Sequence, residues 1–290
     1  MLSVNELEER LIDLAFAEDI GDGDHTTLCC IPEDAMGKSH LLIKENGILA
    51  GVEVAKKVFD RFDSTMSVEV LINDGEPVKA GDIAMVVSGK VRSLLQTERL
   101  MLNIMQRMSG IATMTRKYAK VLEGTNTSVL DTRKTHILDT RKTTPGMRVL
   151  EKQAVLIGGG MNHRIGLFDM ILLKDNHIDF AGGIENAINR CHEYLKKKNL
   201  DLKIEIEVRS FDELDKVLSH GGVDRIMLDN FSVEDTEKAV QIINGRYETE
   251  SSGGITYDTI RDYAECGVDF ISVGALTHSV KGLDMSFKAC

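Results

Sequence analysis

The run Leu138-Asp-Thr-Arg-Lys-Thr-Thr-Pro-Gly-Met-Arg148 carries the residue types of an anion pocket. A short apolar stretch leads into Arg141 and Lys142, two threonines follow, and a Pro145-Gly146 turn adds Arg148. In a parallel α/β sheet such a run presents a pocket at the carboxyl end of a strand. Arginine offers a planar fork to a carboxylate or phosphate, lysine a point charge, and threonine hydroxyls neutral donors. A solvated basic loop is the bland alternative for a lone Arg-Lys pair. Two later runs, Gly158-Gly-Gly-Met-Asn-His-Arg164 and Leu172-Leu-Lys-Asp-Asn-His177, repeat the design and argue against it.

After about residue 125 the pattern alternates between strands and helical stretches. The predicted strands are Val129–Leu130 or Ile137–Leu138, then Met170–Leu173, Lys203–Val208, Arg225–Leu228, Tyr247–Ser251 and Phe270–Val273. Helices fit over Gly183–Lys198, Ser210–His220, Val233–Asn244 and Thr256–Cys266, a rhythm that indicates a parallel sheet with right-handed crossovers. Periodicity alone does not separate a closed barrel from an open sheet. The strand ends favour the barrel. In order they carry Arg141/Lys142, Lys174, Glu207, Asp229, Ser252-Gly253-Gly254 and Gly274, a charged, hydroxyl or glycine residue at the same end each time. Glycines at the last two ends would let backbone N–H groups approach a phosphate.

Alternation within Lys203-Ile-Glu-Ile-Glu-Val208 puts Lys203, Glu205 and Glu207 on one face. Buried there, Lys203 and Glu205 would need partners. Glu205 reads as structural and Glu207, nearest the mouth, as functional. Paired with Asp229, Glu207 could hold Mg2+, bind sugar hydroxyls, or stabilise a developing positive charge.

Residues 1–110 read as an α+β unit. An acidic amphipathic helix spans 1–16 through Val4, Leu7, Leu11 and Leu14; it is not a signal peptide. Strands follow at Leu41–Glu45 and Ser67–Ile72, and Pro77–Gly89 reads as paired strands broken by turns, in the manner of a small β-sandwich. The helix over Arg92–Met108 is expected to close at Ser109-Gly110. The 290 residues suffice for a barrel-sized domain and a smaller one. Net charge of -11 argues against nucleic-acid and acidic membrane partners, and no apolar run is long enough to span a bilayer. The cations from Arg133 to Lys174 run against that charge and point to local focusing of a small anion. Five cysteines with no metal spacing suit a reduced cytoplasmic protein. The Asp19–His25 run reads as a polar turn, and His278 near Gly274 as a phosphate contact or a cap.

The motifs Thr97-Glu-Arg-Leu-Met-Leu-Asn103, Ser109–Thr113, Asp139–Gly146, Gly158–Arg164, Leu173–His177, Met227–Phe231, Ser252–Ile255 and Gly274–Ser279 resemble the quinolinate phosphoribosyltransferase family, from about residue 11 to residue 286. The opening Glu18–Thr27 is similar to that family as well. The resemblance implies an N-terminal α/β sandwich domain over 1–115, an open TIM-like α/β barrel over 116–275, and a segment 276–290 returning to the first domain. It implies transfer of phosphoribosyl from phosphoribosyl pyrophosphate to quinolinate, with loss of CO2 and pyrophosphate, in NAD biosynthesis with Mg2+. By position, Arg141, Lys142, His163, Arg164 and Lys174 match its anion-binding residues and Glu207 and Asp229 its acidic pair, with Thr140 a further expected substrate contact. Ser252, Gly253 and Gly254 with Val273, Gly274 and Ala275 match its phosphate loops. Lys142, Glu207 and Asp229 are the expected catalytic residues, with Glu207 and Asp229 the expected Mg2+ ligands. Arg99 matches an arginine that the family supplies from the neighbouring subunit, so a homodimer or higher oligomer with shared sites is expected.

One departure is a tandem near-duplicate, Val129–His136 followed at once by Ile137–Thr144. Only the second copy carries Thr-Pro-Gly, so function is assigned to Arg141 and Lys142; the alternative makes the first copy the strand. Two rival activities remain: a relative acting on nicotinate or another aromatic acid, and a barrel lyase using Lys174 as a Schiff-base nucleophile.

Overall fold

The computed structural model describes residues 3–125 and 134–290, so Arg133 and most of the first repeat copy lie outside the described residues. Through residue 121 the elements are α1 (Val4–Ile20), α2 (His25–Cys30), β1 (Met36–Ile43), β2 (Gly47–Ile48), α3 (Val52–Phe62), β3 (Ser67–Val70), β4 (Pro77–Val78), β5 (Ile83–Lys90) and α4 (Val91–Val121). Then follow β6 (His136–Leu138), α5 (Arg148–Ile157), β7 (Ile171–Leu173), α6 (Asp175–Ala181), α7 (Ile184–Lys198), β8 (Ile204–Val208), α8 (Phe211–His220) and β9 (Arg225–Asp229). The chain ends with α9 (Val233–Ile243), β10 (Glu248–Ser252), α10 (Ile260–Glu265), β11 (Phe270–Ser272), α11 (Ala275–His278) and β12 (Met285–Ala289). Contacts group 1–116, 142–159 and 275–290 as one compact unit and 117–141 with 160–274 as another.

The first unit is built on an antiparallel sheet ordered β12-β1-β5-β3, with a separate β2-β4 ribbon. Leu41 and Ile43 of β1 and Met85 and Val87 of β5 are fully buried, as are Val58 and Phe59 of α3. Phe59 stacks on Phe287 of β12. The strands within Pro77–Gly89 do not pair with each other as expected: β4 pairs β2, and β5 lies between β1 and β3. In α1, Ser3 and Glu6 form a capping box, and Ile12 is buried while Leu7 and Leu14 stay exposed. Asp24 caps α2 by accepting the Thr27 N–H at 3.0 Å, so the Asp19–His25 run does end in a polar turn.

The stop expected at Ser109-Gly110 does not occur, because α4 continues to Val121. The pair serves close packing. The Ser109 hydroxyl accepts from Ala50 N and donates to Ala50 O, and a Cβ on Gly110 would lie 2.3 Å from the Lys281 carbonyl oxygen. Residues 142–159, placed in the barrel domain from sequence, group instead with the first unit. The cause lies in α5: its Glu151 is fully buried against Arg107 of α4, and a Cβ on Gly158 would come within 2.6 Å of Ala112 O and Thr115 Cβ.

The second unit is a parallel sheet ordered β6-β11-β10-β9-β8-β7. Ile204, Ile206 and Val208 of β8 and Ile226 and Leu228 of β9 pack with Ile188, Leu214 and Val217 of the crossover helices. Ser210 and Ser232 accept backbone N–H bonds at the starts of α8 and α9, so each crossover has a defined entry. Leu138 bridges Met161 in parallel, which continues the ring one step beyond β6. No ladder joins Met161 to β7 among the described residues, so the barrel is open there. Arg164 spans the opening with a bond from Nη1 to Met170 O at 3.1 Å.

Candidate active site

The carboxyl ends of this one sheet collect the predicted residues. β6 leads to Thr140 and Arg141, the Met161 bridge to His163 and Arg164, β7 to Lys174, and β8 and β9 carry Glu207 and Asp229. β10 ends in Ser252, before Gly253 and Gly254, and β11 leads to Val273 and Gly274. Three predicted residues belong to the other unit: Lys142 and Ala275, which directly follow Arg141 and Gly274 in the chain, and Arg99, exposed on α4.

Backbone bonds set the rim. Asp139, fully buried, accepts the His163 N–H at 2.9 Å, and Val273 N–H donates to Leu138 O at 3.0 Å. Gly253 has φ +93, and a Cβ there would lie 2.3 Å from Asn230 Oδ1. Only glycine fits. Asn230 in turn donates its side-chain amide to Asp229 at 2.7 Å.

The cations are crowded. Burial, then the charge of Arg141, loosens the hold of the Arg164 guanidinium on its proton, against Glu205 and Asp169. Arg141 Nε is itself buried with no hydrogen-bond partner among the described residues. Two neighbouring guanidiniums, one with an unmatched donor, call for an anion. Lys174 Nζ lies 2.5 Å from Glu207 Oε2.

Beneath the rim is a buried charged layer. His163 is 8% exposed; its Nδ1 accepts from Arg164 N at 2.7 Å, and its Nε2 lies 3.0 Å from Glu205 and 3.6 Å from Glu250. Expected among the anion ligands, His163 thus turns its ring to the carboxylates. Glu205 is fully buried, in keeping with its structural reading, whereas Lys203 is half exposed beside Glu248. Arg225 Nη1 reaches Glu250 at 3.0 Å. Sequence reasoning missed Arg225 and Glu250, although the period-two rule used on β8 would have placed them on the faces of Asp229 and Ser252.

Burial, then the charge of Glu205, raises the Glu250 carboxyl from 4.5 to about 8, opposed by His163 and Arg225. Folding therefore takes up a proton at Glu250 between its ordinary value and about 8, and stability falls as pH climbs through that window. Glu250→Gln, which keeps the shape of the protonated form, is expected to raise Tm at pH 8.5 and leave it unchanged at pH 5. Thermal unfolding across this range checks it; equal shifts at both pH values would refute the buried proton.

His163, Glu205 and Glu250 have ligand atoms within 4.8 Å of one another, but Arg225 already supplies a cation to Glu250. The oxygen donors of Glu207 and Asp229 are the chemistry Mg2+ prefers when it keeps waters and substrate phosphates for its other positions. Among the described residues no helix is long and apolar enough to cross a membrane.

Family models agree with this architecture: the quinolinate phosphoribosyl transferase N-terminal domain matches residues 24–109 and the C-terminal domain residues 111–288. The chain belongs to the quinolinate phosphoribosyltransferase family. It is 46% identical to the chloroplastic nicotinate-nucleotide pyrophosphorylase [carboxylating] of Arabidopsis thaliana, over 97% of this chain and 82% of that protein. Identity to the probable nicotinate-nucleotide pyrophosphorylase [carboxylating] of Bacillus subtilis is 38%, over 98% and 94%. The crystal structure of NadC from Streptococcus pyogenes superposes with a TM-score of 0.89 at 39% identity, over 99% of this chain and 97% of that one.

Proposed function

We propose that the barrel mouth of this quinolinate phosphoribosyltransferase binds quinolinate through Arg141, Arg164 and Lys174, and phosphoribosyl pyrophosphate through the loops at Ser252–Gly254 and Val273–Ala275. The enzyme is a pentosyltransferase of NAD biosynthesis, releasing pyrophosphate and CO2 as it forms nicotinate mononucleotide. The unmatched, buried Arg141 Nε, with its charge acting on the partly buried Arg164, is the observation that carries the site. The ring nitrogen of quinolinate attacks the anomeric carbon as pyrophosphate leaves, and the sugar passes through an oxocarbenium-like state that the Glu207 and Asp229 carboxylates stabilise. The carboxylate next to the new bond then leaves as CO2, and its ring carbon takes a proton. Lys142 adds a cation, and Thr140 two residues before it a hydroxyl, to the anion-binding set. Mg2+, held by Glu207 and Asp229, would supply charge neutralisation at the pyrophosphate.

A dicarboxylate is the better match to so many cations. Purified enzyme with Mg2+ is expected to use nicotinate at least about 100-fold less well than quinolinate, since each lost charged hydrogen bond costs about 1.5–3 kcal/mol. Release of pyrophosphate with each acid measures it; comparable rates would favour the relative acting on nicotinate. The Schiff-base lyase is the weaker rival, because Lys174 Nζ is engaged by Glu207 Oε2 at 2.5 Å and so is not presented as a nucleophile. We further propose a homodimer in which Arg99 completes the neighbouring subunit's site, and a cytoplasmic location, which the five free cysteines suit.

A further inference from the structure

Within the first unit, Arg107 of α4 is joined to four other groups. Its Nε and Nη2 donate to Glu151 Oε1 at 3.1 and 2.8 Å, Nη1 to Val280 O at 3.3 Å, and Nη2 to Thr277 O and, at 3.4 Å, to Thr144 Oγ1. Glu151, in the first turn of α5, is fully buried, and its other oxygen accepts the Thr144 N–H at 3.2 Å. Thr277 donates its hydroxyl to Lys142 O at 2.8 Å, and Arg148 Nε donates to Thr143 Oγ1 at 2.9 Å. Thr144 O then accepts from Met147 N at 3.0 Å, closing a turn through Gly146 at φ +82. Lys142 and Thr144 are thus held by groups from elsewhere in the unit, Thr277 and Arg107, and Thr143 by Arg148 at the start of α5.

We infer that the Arg107–Glu151 pair is a positioning device for Lys142: it clamps Thr144 on one side and the Thr277–Val280 segment on the other, and Thr277 holds the Lys142 carbonyl. Arginine is the residue for this task, because its planar fork serves several acceptors at once, whereas lysine offers one rotating ammonium. The carboxylate is equally specific. One oxygen takes the guanidinium and the other the Thr144 amide, so ion pair and loop are ordered together. Its place in the first turn of α5 adds the favourable field of a helix N-terminus. The inference rests on the reading of Lys142 as a functional residue.

The test separates the two claims by measuring loop order and turnover independently. Arg107→Gln with Glu151→Gln removes both charges together and leaves no lone buried carboxylate, which a single Arg107→Ala would leave. Thr277→Val removes only the hydroxyl that holds Lys142. In both proteins, hydrogen–deuterium exchange of the peptide containing Thr144 is expected to quicken, about tenfold or more in the double variant. Turnover should fall with it: kcat by about tenfold or more in the double variant and less in Thr277→Val, while KM for quinolinate changes much less. Arg107→Lys, which restores the charge without the fork, should recover only part of kcat. Unchanged exchange at Thr144 in either folded variant overturns the inference. Faster exchange with unchanged kcat instead overturns the functional reading of Lys142 and leaves the clamp standing as architecture.

Discussion

Alanine at Arg141 or at Lys142 is expected to lower kcat/KM for quinolinate by at least about 100-fold, while Lys134→Ala stays within about threefold of the parent. The contrast follows from the register of the repeat. Ile137 and Leu138 of the second copy pair with Ile271 and Ser272 of β11, and Leu138 O receives the Val273 N–H at the strand's end. Asp139 is then buried and bound to His163 N, which brings the Arg141 of this copy to the rim. Lys134 precedes the same strand and is exposed, and Thr135 behind it is anchored by a bond from its hydroxyl to Val268 O at 2.7 Å. The two copies of one motif therefore meet opposite ends of β6. About 100-fold corresponds to about 2.7 kcal/mol, the size of one or two charge-assisted hydrogen bonds lost from a bound carboxylate or phosphate. Steady-state kinetics with quinolinate and phosphoribosyl pyrophosphate, alongside circular dichroism to confirm folding, decides it. A reversed ranking would make the first copy the working one.

The rim was legible because chemistry interrupts pattern. Strand-like runs with Lys174, Glu207, Asp229 or Ser252-Gly253-Gly254 at or beside their carboxyl ends announce both a strand and its exit, and β7 to β11 fall within a residue or two of the predicted bounds. What failed was legible only in three dimensions. Ser109-Gly110 has the composition of a helix stop, but the same small side chains also permit close approach, and contact with Ala50 and Lys281 chose the second use. Residues 142–159 follow a barrel strand in sequence yet belong with the first unit, because the partner of Glu151, Arg107, lies 44 positions upstream. No local periodicity encodes such a pairing. Arg225 and Glu250 form the opposite case: alternation would have put them on the inner face, and only their buried contact at 3.0 Å shows that they act as a layer beneath the rim.

Arg99 carries the second large expectation. It is exposed on α4, in the unit that does not hold the barrel strands, and it makes no ion pair among the described residues. If it completes the site of a neighbouring subunit, a two-fold dimer has two composite sites, each drawing Arg99 from one chain and Lys142 from the other. Arg99→Ala and Lys142→Ala dimers should then each be nearly inactive. In a mixed dimer one site collects both lesions and the other collects neither. Random reassortment of equal amounts makes about half of the dimers mixed, and each has one intact site, so activity should return to about a quarter of the parent. Co-expression with two different affinity tags, followed by the quinolinate assay on the doubly tagged species, isolates the mixed dimers, which should reach about half of the parent's specific activity. A clean doubly tagged dimer without activity would mean that Arg99 serves its own subunit, and a fully active Arg99→Ala dimer that it serves no site.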